Sequence, residues 1–402
     1  KCTIMKTHQN HHLFGPIEHV GRIIKSAISK IRDFLIKLNH RFLLPFNRTK
    51  QKPDFSLAAA KEPKSRREVL KKLAFLPFFG GIAWTFFSSK ESSASPIVPV
   101  PDSCGTFQRR SLEELEGNIP QGKLGNKSVS RLILGSNPFC GYAHSRDLKY
   151  TSSLFRAYFT REKLIETIHL AEQAGINTLN LCTWEQQHLI NQYNKQNGSN
   201  LHTMMQVRPT KEDLYSDIDR SIDLGMDFIQ IRGVEGDIFA RDGDADLLLK
   251  CVDHTKRQGY PVSVGAHDVH TFYACDEAGI EVDFYFKTLH HDRYWSALPK
   301  KDRLPFGVQG PKNTNRNPYH DNMWCLFPGD TVSYIQKLNK PVVGFKVLAG
   351  GAIYPDEAFQ YAFDNGADFI CVGMCDFQIV ENANAAIRAI EKASNRQRPW
   401  YG

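Results

Sequence analysis

The chain has 402 residues, 41% of them hydrophobic and 23% charged, with a formal net charge of +8. That composition excludes a disordered or collagen-like protein, and no uncharged apolar run reaches the ~18 residues of a membrane-spanning helix. Residues 1–90 carry 18 Lys+Arg against 5 Asp+Glu, a net of +13, which leaves the remaining 312 residues at −5. A slightly acidic body has no general attraction for phosphate backbones, so nucleic acid is not an expected partner.

Residues 1–64 read as a basic leader. Ile17, Val20, Ile24, Ile28, Ile31, Leu35 and Leu38 recur at helical spacing between Arg22, Lys25, Lys30, Arg32 and Lys37. Such a basic amphipathic helix is suited to an anionic membrane surface, and this is the only membrane contact expected. Residues 65–94 follow the three-part plan of an export signal. A basic segment is succeeded by the uncharged stretch Leu73–Phe87 and then by Ser92-Ser93-Ala94.

Residues 95–130 read as a linker and N-terminal extension. From residue 131 to 392 one unit repeats: an apolar run, a polar loop, then a helical stretch closed by Gly or a turn. The closures are Ala174-Gly175, Leu224-Gly225, Gln258-Gly259, Ala278-Gly279 and Asn365-Gly366, each placing Gly where a left-handed cap requires it. The pattern predicts strands at 131–135, 177–182, 201–207, 227–231, 261–266, 282–288, 341–348 and 367–373. Eight strands alternating with helices predict an α/β (β/α)8 TIM barrel, and no GxGxxG follows the first strand to favour a doubly wound sheet. Residues 292–330 form a long aromatic and polar insertion, with Tyr294, Trp295, Tyr319, His320 and Trp324, that reads as a lid touching substrate. Residues 393–402 form a C-terminal tail.

Two resemblances add to this reading. Ser65-Arg66-Arg67-Glu68-Val69-Leu70-Lys71 resembles a twin-arginine signal, with Val69 where Phe is usual. It implies passage through the twin-arginine translocase to a periplasmic or other extracytoplasmic location, or an anchor if the signal is uncleaved. Gly122-Lys123-Leu124-Gly125, Ala174-Gly175-Ile176-Asn177-Thr178, and Gly373-Met374 with Gln378-Ile379-Val380-Glu381-Asn382 resemble segments of the aldo/keto reductases. More closely, Tyr142-Ala143-His144-Ser145-Arg146-Asp147 and Lys287-Thr288-Leu289-His290-His291 resemble exported bacterial TIM-barrel proteins of unestablished activity. The reductases' catalytic tetrad is not matched. Asn180, the Glu185 region, Gln206 or Arg208, and Arg232 fall where its Asp, Tyr, Lys and His would be. A nicotinamide cofactor, NAD(P), is thereby less expected than in an ordinary reductase, though Glu381 and Asn382 fall in the family's nucleotide-contacting segment.

Active sites of such barrels lie at the C-terminal strand ends. The polar residues there nominate His267, Lys287, His290 and Lys346 for acid–base catalysis, supported by Glu185 and Arg232. Lys287 also suits a Schiff-base lysine. A divalent metal is a second reading, with His267, His290, Glu185 and Asp376 as ligands. Gly350, Gly351 and Gly373, in the loops after strands seven and eight, are candidates for an anionic cofactor, together with Glu381 and Asn382. The nine cysteines show no CxxC spacing, and Cys182, Cys371 and Cys375 read as small buried hydrophobes. The expectation is an exported enzyme of lyase, isomerase or hydrolase type acting on a small polar, carbohydrate-derived molecule. The alternatives are an aldo/keto-reductase-like NAD(P)-dependent oxidoreductase with altered catalytic residues, and a non-catalytic periplasmic binding barrel.

Overall fold

Short runs dense in Leu, Ile, Val and Phe, each bracketed by turn residues, are buried on both faces, as parallel strands covered by helices must be. A computed structural model describes residues 109–146, 148, 150–308 and 322–402. Residues 1–64 and 65–94, read from the sequence as a leader and an export signal, lie outside the described residues. A hairpin, β1 (Gln121–Leu124) and β2 (Lys127–Ser130), precedes the barrel strands. These are β3 (Leu132–Gly135), β4 (Thr178–Leu181), β5 (His202–Val207), β6 (Phe228–Ile231), β7 (Val262–Ala266), β8 (Tyr285–Thr288), β9 (Val342–Phe345) and β10 (Phe369–Gly373).

The eight pair in parallel in chain order, and β10 closes on β3. The fold is a (β/α)8 TIM barrel, and each of its eight barrel strands falls within the segment its sequence pattern predicts. Gly175, Gly225, Gly259, Gly279 and Gly366 all have positive φ, so the helix-ending glycines act as anticipated.

An additional helix, α1 (Tyr150–Tyr158), precedes α2 (Arg161–Gln173), α3 (Trp184–Asn197) and α4 (Ser216–Asp223). Two helices, α5 (Gly233–Arg241) and α6 (Ala245–Arg257), separate β6 from β7. The ring is completed by α7 (His270–Glu277), α8 (Pro328–Ile335), α9 (Pro355–Asp364) and α10 (Ile379–Lys392).

The extension before the barrel is not all linker. Leu124 and Val129 of the hairpin enter the barrel interior beside Ile133, Phe228, Phe284 and Phe369, sealing its N-terminal end with apolar surface. The C-terminal tail is also built in. The Asp368 carboxylate accepts from Arg398 at 2.7 Å and Arg396 at 2.5 Å, and Arg131 donates to the Asp368 carbonyl at 2.8 Å. With that end closed by hairpin and tail, the opposite mouth is where a ligand can enter.

Candidate active site

A cavity of about 400 Å3 opens at the C-terminal ends of the strands. Its floor follows from strand alternation, which turns every second side chain inward. Met204 and Phe228 fill the deeper interior, and one turn of the pleat higher Asn180, Gln206 and Gln230 form a polar layer. Gln206 donates to Asn180 at 2.6 Å, and Asn180 donates to Gln230 at 3.1 Å.

His267, just beyond β7, lines the cavity although it is only 3% exposed. Its Nδ1 lies 2.8 Å from Oδ2 of Asp237, which is completely buried. Asp237 further accepts from the His267 backbone N–H at 3.1 Å and from the Thr271 hydroxyl at 2.7 Å. Burial holds the His267 pKa below the ordinary histidine value; Asp237 opposes the shift, and Lys346 and Lys287 add to it. Two glycines make the pair possible. A Cβ on Gly236 would lie 2.2 Å from the Gly265 carbonyl oxygen, and one on Gly233 would lie 2.9 Å from the His267 ring. Helix α5 therefore sits closer to β7 than any side chain would allow, and carries Asp237 to the imidazole.

Lys346 follows β9 with φ of 52°, a left-handed conformation uncommon outside glycine. Its ammonium contacts Nε2 of His144 and lies 3.8 Å from the Trp324 ring centroid. Trp324 is the hub of this wall, with His144 at 4.4 Å and His267 at 5.0 Å between ring centroids. Arg232 and Arg208 occupy the ends of β6 and β5. Arg232 is paired with Glu235, its Nε 2.7 Å from the carboxylate, and Arg208 donates to the Cys182 carbonyl at 2.9 Å. Arg208, Arg232 and Lys346 line the cavity, and no Asp or Glu does so among the described residues.

The structure corrects several of the sequence-based candidates. Lys287 does not line the cavity. Its three donors are taken by the His267 carbonyl at 2.6 Å, the Thr288 carbonyl at 3.0 Å and the Thr288 hydroxyl at 2.8 Å, an arrangement that braces His267 and leaves no Schiff-base nucleophile. His290 is likewise structural. Its Nε2 accepts backbone N–H groups of Trp324 at 3.1 Å and Cys325 at 3.0 Å, while Nδ1 donates to the His291 carbonyl at 2.8 Å. Burial pushes its pKa down to about 4, so the ring stays neutral and clips the Trp324 segment onto the barrel.

Glu185 lies exposed on the first turn of α3, where its own backbone N–H and the Thr183 hydroxyl lower its pKa. Asp376 is buried among Arg109 at 3.0 Å, Lys163 at 3.3 Å and the Tyr158 hydroxyl. The four proposed metal ligands are thus engaged separately: His267 by Asp237, His290 by backbone, Glu185 by its helix, and Asp376 by cations. Among the described residues, no group of three or more His, Cys, Asp or Glu is arranged to hold a metal.

Of the cofactor candidates, Gly350 and Gly373 meet protein closely. A Cβ would fall 2.3 Å from the His144 carbonyl oxygen at Gly350 and 2.8 Å from Pro138 at Gly373. Gly351 has an open face. These three glycines border a second cavity of about 250 Å3, which shares Asn137, Tyr142 and Lys346 with the first. Glu381 is exposed on α10, and Asn382 is buried there with its amide nitrogen lacking a hydrogen-bond partner.

Of the insertion, Trp324 reaches the cavity, and Tyr294 donates to the Asn322 carbonyl at 3.0 Å. Trp295 is 84% exposed and stacks on Arg146 at 4.5 Å, whereas Tyr319 and His320 lie outside the described residues.

Two residues of the site escape the sequence reading. Asp237 sits inside a helix, away from any strand end; the glycine pair in Gly233-Val234-Glu235-Gly236-Asp237 is its one signal. Cys182, read as a small hydrophobe, lines the cavity as a polarised sulfur. The Ser136 hydroxyl lies 3.3 Å from it and the Gln206 amide nitrogen 3.4 Å.

No known family model matches the chain, and no curated protein sequence matches it. Solved structures do resemble it. A Pseudomonas aeruginosa protein assigned as an aldo-keto reductase shares 16% identity over 71% of this chain and 99% of its own, with a TM-score of 0.44. An aldo/keto reductase from Brucella melitensis shares 11% identity over 69% of this chain and 98% of its own, at 0.40. A glycerol dehydrogenase from Gluconobacter oxydans shares 12% identity over 68% of this chain and 94% of its own, at 0.34. At such identities the likeness is one of fold, and reaction has to be argued from the site.

Proposed function

We propose that this barrel catalyses proton transfer at a carbonyl- or hydroxyl-bearing carbon of a small, anionic, carbohydrate-derived substrate. The observation that carries the reading is one cavity lined by His267, backed by Asp237, together with three cations and, among the described residues, no carboxylate. With Nδ1–H given to Asp237, the lone pair of a neutral imidazole is on Nε2, so His267 can take a proton as general base. Asp237 then stabilises the imidazolium that forms. Lys346 stabilises charge developing on the substrate oxygen, and Arg232 with Arg208 anchors a carboxylate or phosphate. A cavity of about 400 Å3 suits a molecule of sugar-acid size. Trp324 offers such a ligand an apolar face.

The test is proton exchange into small sugar acids and keto acids in D2O, followed by NMR. Exchange is expected in the native protein, with loss of at least about a hundredfold in His267→Gln. In Arg232→Met a raised KM is expected. Exchange that survives His267→Gln unchanged, or no binding of any anionic member of the panel, sinks the reading.

A second reading is favoured by the adjoining cavity between the ends of β9 and β10. Val347, Leu348, Gly351 and Gln378 border it, offering apolar and backbone contacts to a nucleotide. A bound nicotinamide would supply hydride chemistry, making the protein an aldo/keto-reductase-like oxidoreductase in which His267 handles the substrate proton. Quenching of NADH or NADPH fluorescence on titration, lost in Gly351→Trp, is the expected sign; unchanged fluorescence at millimolar protein excludes it. We further infer that the activity is extracytoplasmic, on the support of Ser65-Arg66-Arg67 and the apolar segment after it. Retention of the Arg66→Lys, Arg67→Lys double variant in the cytoplasm tests this.

A further inference from the structure

Cys182 continues the inward parity of Asn180 on β4 and forms part of the wall between two cavities. It lines the cavity of about 400 Å3 and also a separate one of about 550 Å3 bordered by Trp184, Asp217 and Arg220. The Ser136 hydroxyl at 3.3 Å and the Gln206 amide at 3.4 Å donate to its sulfur, the Cys182 thiol itself donates to Asn137 Oδ1 at 3.1 Å, and the neighbouring Cys140 thiol favours charge on Cys182. Arg208 and Arg232 add positive potential from the same cavity. Gln186 holds the two cysteines in register, its amide nitrogen donating to Cys140 at 3.2 Å while its oxygen accepts the Cys182 backbone N–H at 2.9 Å.

We propose that Cys182 and Cys140 form a hydroperoxide-reactive thiol pair that switches the cavity off on oxidation. The Cys182 thiolate attacks the terminal oxygen of a hydroperoxide. The O–O bond breaks, the sulfur is oxidised to a sulfenic acid, and the peroxide leaves as alcohol or water after taking a proton. The Cys140 sulfur then displaces the sulfenic oxygen, forming one disulfide and releasing one water. A dithiol reductant returns both sulfurs to thiols by supplying two electrons and two protons.

The sulfurs share opposite fates before reaction. The hydrogen bond from Cys140, then Ser136, Arg208 and Arg232, outweigh burial and hold the Cys182 pKa below that of an ordinary thiol. Cys140, as donor to that sulfur and partly buried, is pushed up. The consequence for the site follows from chain connectivity. Cys140 ends the tight turn Pro138–Cys140, and the next residues include Tyr142 and His144, which line the cavity. A bond between the sulfurs draws that turn toward β4 and alters the contact of His144 with Lys346.

The experiment is mass spectrometry of the full chain after treatment with hydrogen peroxide at neutral pH, with and without dimedone to trap sulfenic acid. Native protein is expected to lose two hydrogens and to yield a Cys140–Cys182 linked peptide, reversed by dithiothreitol. Cys140→Ser is expected to accumulate the dimedone adduct at Cys182, and Cys182→Ser to leave Cys140 unmodified. Iodoacetamide labelling of the untreated native chain gives a readout that needs no variant. Cys182 should react with a pH midpoint below the ~8.5 of a free thiol. A reduced Cys182 after peroxide treatment, a disulfide formed elsewhere, or a midpoint at or above the free-thiol value overturns the proposal. These readouts need no substrate and remain decisive whatever reaction the cavity performs.

Discussion

Asp237 grips His267 at two points, by the ring Nδ1 at 2.8 Å and by the backbone N–H at 3.1 Å. A carboxylate that fixes both the ring and the peptide of one histidine determines its tautomer and its direction together. Because Asp237 comes from the helix after β6 and His267 from the end of β7, this relationship spans two successive units of the barrel. It is the feature on which the proposed proton transfer depends.

Asp237→Asn keeps the shape but removes the charge that stabilises imidazolium. Turnover is expected to fall about a hundredfold or more. Since Asp237 opposes the downward shift of the His267 pKa, its loss moves the acid limb of the pH–rate profile to lower pH. A profile whose acid limb stays fixed, or moves upward, contradicts the assigned role.

Gly236→Ala tests the close approach that delivers the carboxylate. The added Cβ meets the Gly265 carbonyl oxygen at 2.2 Å, which is backbone and has little room to yield. Destabilisation of about 1–3 kcal/mol by chemical denaturation is expected. Activity should fall along with it as Asp237 is lifted from His267. A variant of native stability and rate shows that α5 has freedom the packing denies.

His290 makes stability depend on mild acid. Its folded pKa is about 4 against 6.5 for the unfolded chain, because burial disfavours the cation. Above 6.5 both states are neutral and nothing is lost. As pH falls from 6.5 toward 4 only the unfolded state takes up the proton, so up to about 3 kcal/mol of stability is lost across that window. Comparing urea midpoints of native protein and His290→Asn across this range checks the sign; the variant should show a shallower dependence.

Arg398 and Asp368 form an ion pair whose side chains are completely buried at the closed end. Arg398→Ala leaves a buried carboxylate short of one partner and is expected to cost about 3–5 kcal/mol. Ligand affinity at the opposite mouth should be unaltered. Calorimetric unfolding alongside a binding isotherm separates the two, and a weakened affinity without lost stability refutes this placement.

The sequence carried the barrel because its evidence is local and repeated. Each strand run is short and apolar, and many of the helices end on a glycine whose αL conformation no other residue adopts as easily. The same locality placed His267, Lys346 and Arg232 at strand ends, where the structure brings them to one cavity. It failed at Lys287, which follows the inward-facing Phe286 by a single residue. Alternation along the strand turns its side chain out of the barrel interior, toward the carbonyls of His267 and Thr288. His290 failed differently, since backbone N–H groups more than thirty residues away consume its acceptor.

What the sequence determined by itself is therefore the periodic part: eight strands, their helices, the stops between them, and the end of the barrel at which polar residues collect. Tertiary structure alone decided which polar groups meet. Whether a histidine is a base or a clip, and a cysteine a hydrophobe or a polarised thiol, depends on which atoms lie within about 3 Å of it. Those neighbours, Asp237 for His267 and Cys140 for Cys182, come from other units of the fold, brought within hydrogen-bond range only when the barrel closes.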